Sequence, residues 1–198
     1  QEAALALPHY ESHPKELSAQ AVSRLLSFDV GLIRAPAAAA WLRIPRENDE
    51  VILSRIFGDD HPAVGRAVYR SVVIAWWECD ATRREILRLG LLRLASSPTG
   101  AASLVDQMVL FGRAEFGELP PWELFGSLMP LVLQMLPPGT ALHDARLYDV
   151  VRTASKHISV DALLSIVDRW IEYLEALPSA RTASDYLLGC TVVLVEGT

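Results

Sequence analysis

The side chains in this sequence best suited to gripping something lie in one short stretch. Arg66 and Arg70 stand one helical turn apart, and so do Arg84 and Arg88. With Arg93 they read as a basic ridge across one pair of helices. Such a ridge offers charge, a docking strip for an acidic peptide or for the acidic flank of another subunit. The plainer alternative is that these arginines are solvated, or pair with Glu78, Glu85 and acids on adjacent helices. Ion pairs of that kind contribute little to stability. Trp76 and Trp77 add aromatic surface beside the ridge, and aromatics and arginine are enriched at binding hot spots. Adjacent residues cannot share one helix face, so one indole belongs in the core and the other on a neighbouring element or in a groove. Trp122 is a third aromatic anchor of the same type, for which core packing is the commoner fate. The partner-binding set expected is Arg66, Arg70, Arg84, Arg88 and Trp77.

Other chemistry finds less support. His9 and His13 are four apart with Glu11 between them, a spacing that grips a metal on a helix. Pro14 pushes His13 out of helical geometry, and no third ligand is in view. His61, His143 and His157 each sit beside an expected turn, and no Ser, Cys or carboxylate motif marks a nucleophile near them. No glycine-rich phosphate loop follows a strand. Cys79 precedes an expected helix start at Asp80 and lies near Arg83, a setting that can lower a thiol pKa; a half-buried thiol packed by the two tryptophans is the simpler expectation. No catalytic residue, metal ligand or cofactor is therefore expected.

Composition bounds the possibilities. The 198 residues suffice for one domain with a substantial core, and 51% are hydrophobic. Charged residues interrupt every apolar run before it reaches the length of a membrane span. The opening QEAALALPHYESH has no basic start, so it does not read as a secretory signal. It also lacks an initiator Met, and the expectation is a fragment of a longer protein or a processed chain. Cys79 and Cys190 form no paired motif, which suits a reducing, cytoplasmic setting. The net charge of −6 argues against general nucleic-acid binding. Residues 62 to 96 run against that balance, with six arginines and three acids.

The elements that must position these residues are helices. Pro62 suits the first helical position, and Val64, Val68, Val72 and Trp76 recur at helical spacing. Asp80 reads as the N-cap of a second helix. From Ile86 to Ala95 that helix is apolar at seven of ten positions, so it must be covered on more than one side. Ser96, Ser97 and Pro98 end it. Before this pair come a loose segment 1–14, a helix Lys15 to Phe28, breaks at Gly31 and Pro36, a short helix or packed linker closed by Pro45, and a helix Asn48 to Phe57. After it, Thr99 caps a helix through Phe111, and 112–120 connect to a helix opened by Pro121, kinked at Pro130 and stopped at Pro137. Helices follow over Ala141 to Lys156, Val160 to Leu177 and about Thr182 to Val195, the last with some strand propensity.

Alternate helices start at Pro62, Thr99, Ala141 and about Arg181, separations of 37, 42 and 40 residues. Tyr69-Arg70-Ser71-Val72-Val73 is also similar to Leu147-Tyr148-Asp149-Val150-Val151. A period near 40 with two helices per unit resembles the HEAT and armadillo class of helical repeats over residues 62–196, on period and apolar pattern alone. The resemblance implies an all-α fold of about nine to ten helices, antiparallel hairpins stacked as an α-solenoid. It implies a single domain over 1–198, with less regular helices over 15–61. It also implies a protein–protein interaction module, scaffold or sensor without catalysis of its own, whose partner is a protein, an acidic peptide or another domain of the same chain. Two other functions stay open: a nucleic-acid-processing enzyme, since some DNA glycosylases use a HEAT-like solenoid, and a compact acidic inhibitor or immunity-type protein.

Overall fold

The computed structural model describes residues 19–43, 50–112, 121–136 and 144–175. Among them are nine α-helices, one 3-10 turn and no strand, so the all-α expectation holds. The described residues fall into two compact units that divide between Leu104 and Val105. The first contains α1 (Ala19–Leu26), α2 (Gly31–Leu42), α3 (Glu50–Phe57), α4 (Pro62–Ala75), the 3-10 turn Trp76–Glu78 and α5 (Ala81–Ala95). The division falls inside α6 (Pro98–Gly112). The second unit contains α7 (Trp122–Met135), α8 (Asp144–Ala154) and α9 (Val160–Glu175). The expected metal pair His9 and His13, the stop at Pro137, His143, Cys190 and the last helix lie outside the described residues.

The helix starts follow from side chains that satisfy the first free N–H groups. Pro62 opens α4, and the His61 imidazole caps it by accepting the Ala63 N–H at Nδ1, 3.2 Å away. Asp80 caps α5, its Oδ1 accepting the Arg83 N–H at 2.7 Å. Pro98, expected to close a helix, opens one instead. Ser97 and not Thr99 is the cap, its Oγ accepting the Gly100 N–H at 3.0 Å. The rule that places Pro62 applies here too, because a proline at the first position gives up an N–H that would have had no partner.

Gly31 and Pro36, expected to break the chain, both lie within α2. Gly31 is the first residue of that helix, where its backbone freedom costs least. Pro36 removes one bond, to the Leu32 carbonyl. The run Ala37 to Ala40 that follows has the highest helix propensity available, and Ile33, Ala37, Ala38, Trp41 and Leu42 are buried. Burial of an almost wholly apolar helix outweighs one lost bond. In the second unit α7 likewise continues through Pro130.

Packing departs from a simple pair of neighbours. The expected partner of α4 is α5, and the two do touch. Among the described elements, however, the most extensive packing joins α4 to α2. The same spacing recurs: α1 packs on α3, α3 on α5 and, in the second unit, α7 on α9. The starts of paired helices lie together. A Cβ on Gly31 would fall on the His61 ring, so α2 and α4 begin side by side. In the second unit, the Trp122 ring that opens α7 stacks on His157, just before α9, with centroids 5.4 Å apart and planes within 4°. A Cβ on Gly126 would stand 3.4 Å from Ile158.

One side chain fastens the α2–α4 alignment. The Arg34 guanidinium grips Asp59 through Nε (2.6 Å) and Nη2 (3.0 Å), and its Nη1 donates to the carbonyls of Phe28 and Asp29, each at 2.8 Å. Asp59 also accepts the His61 N–H at 2.9 Å. The two side chains are only 15% and 8% exposed, and the hydrogen bonds to Asp59 hold the guanidinium more firmly protonated than usual. The connections before α2 and α4 are thus tied by one charged group, in the planar two-point geometry that arginine alone provides.

Substituting Gly31→Ala forces the His61 ring from its place and should destabilise the fold by about 1–3 kcal/mol, the usual cost of overfilling a packed site. Urea unfolding followed by circular dichroism measures it. In the His61→Ala background the same glycine substitution should cost clearly less, because the colliding ring is gone.

Candidate functional site

The end of α4 and the start of α5 bring part of the expected set together. Trp76 is 3% exposed and belongs to the core, whereas Trp77 is 54% exposed. The 3-10 turn that carries both splits the adjacent indoles between inside and outside, as their adjacency requires. Arg84, in the first turn of α5, closes over them. Its Nε donates to the Trp76 carbonyl at 3.0 Å, and its guanidinium carbon lies 6.0 Å from the Trp76 ring centroid and 5.9 Å from that of Trp77. A cation over an exposed ring contributes about 0.5–1 kcal/mol, enough to restrict Trp77 without burying it.

The other arginines separate. Arg88 forms a two-point ion pair with Glu85, at 2.8 and 2.7 Å, and that pairing lowers the Glu85 pKa. Arg88 is therefore partly neutralised within its own helix and offers less to a partner than the sequence implies. Arg66 and Arg70 are exposed one turn apart on α4, and neither shares an ion pair with a described residue. Arg84 lies against Trp77, and Arg66 and Arg70 stand as a second cationic pair on the preceding helix. Arg83, by contrast, is buried, and burial pulls its pKa down.

A second feature escapes the sequence reading. Between α3 and α5 runs a groove of about 390 Å³, lined by Glu50, Leu53, Ser54 and Phe57 on one side and Ile86, Leu89, Gly90 and Arg93 on the other. Both sets follow the same i, i+3, i+4, i+7 spacing, one stripe on each helix. The absent side chain of Gly90 makes room for the Phe57 ring, which occupies the place a Cβ would take. Arg93 Nη1 donates to Ser54 Oγ at 3.1 Å across the groove. Leu89 remains 52% exposed there, and nothing local in the sequence tells which apolar residue of a nearly all-apolar helix faces water.

Chemistry beyond binding gains nothing from the geometry. Among the described residues no group of three or more His, Cys, Asp and Glu side chains could hold a metal. His61 spends Nδ1 as a helix cap and His157 lies flat on Trp122. Burial pushes the Cys79 thiol up, a rise that Arg83 and Arg84 oppose without reversing. The helix-start position therefore does not lower the Cys79 thiol pKa. Iodoacetamide should accordingly modify Cys79 more slowly at pH 8 than it modifies a free cysteine peptide. The rate should still be climbing at a pH where the peptide has levelled off, because a raised pKa delays thiolate formation. Peptide mapping by mass spectrometry reads Cys79 separately from Cys190.

Among the described residues no helix is long and apolar enough to cross a membrane. In comparison with known proteins, no family model, no curated protein and no solved structure matches the chain.

Proposed function

We propose that this chain is a protein-binding module of helical-repeat type, without catalysis of its own, whose partner is an acidic peptide segment. The repeat architecture is supported by helices that pack on the one two places before them, α2 with α4, α7 with α9 and, less extensively, α1 with α3 and α3 with α5, beside an adjacent α1–α2 contact. Stacked two-helix repeats pack their successive first helices together, and their second helices likewise. The joined starts of α2 and α4 agree with this, as do those of α7 and α9.

The observation that carries the binding reading is the Trp77–Arg84 pair. Trp77 is a large aromatic surface left in water and held in one place by a cation. Tryptophan and arginine are enriched at the energetic centres of protein interfaces, and a pre-ordered pair has less side-chain entropy to lose on binding. Arg66 and Arg70 extend positive charge along the preceding helix, in a segment with six arginines against three acids inside a chain of net charge −6. An acidic segment with an apolar side chain for Trp77 matches both halves of that surface.

Selection of a displayed random peptide library on the immobilised chain tests the reading. Enrichment of Asp- and Glu-rich peptides is expected. Affinity for a selected peptide should fall about tenfold or more, some 1.4 kcal/mol, in both Trp77→Ala and Arg66→Glu/Arg70→Glu, and should weaken as salt rises. A chain that enriches no acidic peptides, or whose variants bind them unchanged, overturns the proposal.

A further inference from the structure

We infer that the groove between α3 and α5 is a second docking site, and that its occupant is an amphipathic helix of a partner protein ending its apolar face in a carboxylate. The inference rests on the reading of the chain as a binding module but concerns a different surface from Trp77 and Arg84. The two lining stripes each span eight residues of helix, about 10 Å or two turns. Leu53 and Phe57 form a buried apolar wall, and Ile86 and Leu89 rise on the other side, with Leu89 half in water. An apolar trough of this length matches the row of side chains at i, i+3, i+4 and i+7 that a helix presents.

The choice between a helix and a small molecule follows from how open the trough is. Sites for small ligands enclose most of the ligand surface. Here Glu50, Ser54, Leu89 and Arg93 are all exposed along the rim, so a small apolar molecule would stay half in water. A helix brings its own cover.

Arg93 decides the polar end. Its described hydrogen bond is to the neutral Ser54 hydroxyl at 3.1 Å, and it shares no ion pair with a described residue. A guanidinium holds five donors in a fixed fork suited to a carboxylate, and Ser54 already fixes one side of that fork. The sole acid of the groove, Glu50, lies in the first turn of α3, where the helix dipole favours its charge and it makes no described bond to Arg93. A Glu or Asp at the end of the partner's apolar face would complete the arginine.

The test uses a fluorescein-labelled, hydrocarbon-stapled helical peptide with leucines along one face and a glutamate at the end of that face. Binding to the full chain is read by fluorescence anisotropy. Leu89→Asp and Arg93→Glu both change exposed side chains, and circular dichroism confirms that each folds. Each should weaken the peptide about tenfold or more. A peptide with lysine in place of the glutamate should bind Arg93→Glu better than it binds the unsubstituted chain, a charge swap that general stickiness cannot produce. Arg66→Glu/Arg70→Glu should leave this peptide's affinity unchanged. Equal binding to all variants, no binding to the unsubstituted chain, or decanoate displacing the peptide at equal concentration overturns the groove assignment. None of these outcomes touches the acidic-peptide selection at Trp77, so the two proposals stand or fall separately.

Discussion

The packing described here depends on how closely α2 can approach α4. Crossing distance between helices is set by the side chains at the contact, and α2 offers mostly alanine there, with a glycine at its start. Ala37 and Ala38 are fully buried, as are Val64, Val68 and Val72 on α4. Little of this is strong chemistry. It is close contact over a long strip, where many weak dispersion terms accumulate. The Arg34–Asp59 grip contributes direction more than energy, since it joins the connections before the two helices and so sets which residues of each lie level.

Once α2 and α4 are level, α3 and α5 follow. Each is tied by a short connection to a helix of the first pair, and they meet through Phe57 over Gly90 and Arg93 on Ser54. That contact is looser. Between α2 and α4 the small residues close the gap, whereas between α3 and α5 an open trough remains. A surface that can receive a partner is most easily made where packing is incomplete.

Much of this was legible in the sequence, for physical reasons that can be named. Pro62 and Asp80 announced helix starts because capping is local chemistry, decided within three or four residues. That Trp76 and Trp77 part was legible from their adjacency; which one enters the core, and that the other is left 54% exposed, was not. Misreadings arose where one residue type has two meanings. Pro98 and Gly31 punctuate a chain whether they end a helix or open one, and Pro36 is tolerated only because tertiary burial of α2 outweighs its missing bond. The pairing of Arg88 with Glu85, one turn before it on the same helix, was among the alternatives stated. The groove was hidden because the ten residues from Ile86 to Ala95 are apolar on nearly every side, so periodicity cannot say which stripe is left uncovered.

The Arg34 grip has a kinetic consequence. One guanidinium holds the backbone before α2 through two carbonyls and the backbone before α4 through Asp59, which in turn holds the His61 amide. Neither connection can loosen while the other stays closed without stranding a half-buried charge. Opening of this corner is therefore cooperative, and amide protons that exchange through it share one opening free energy, each at its own intrinsic rate.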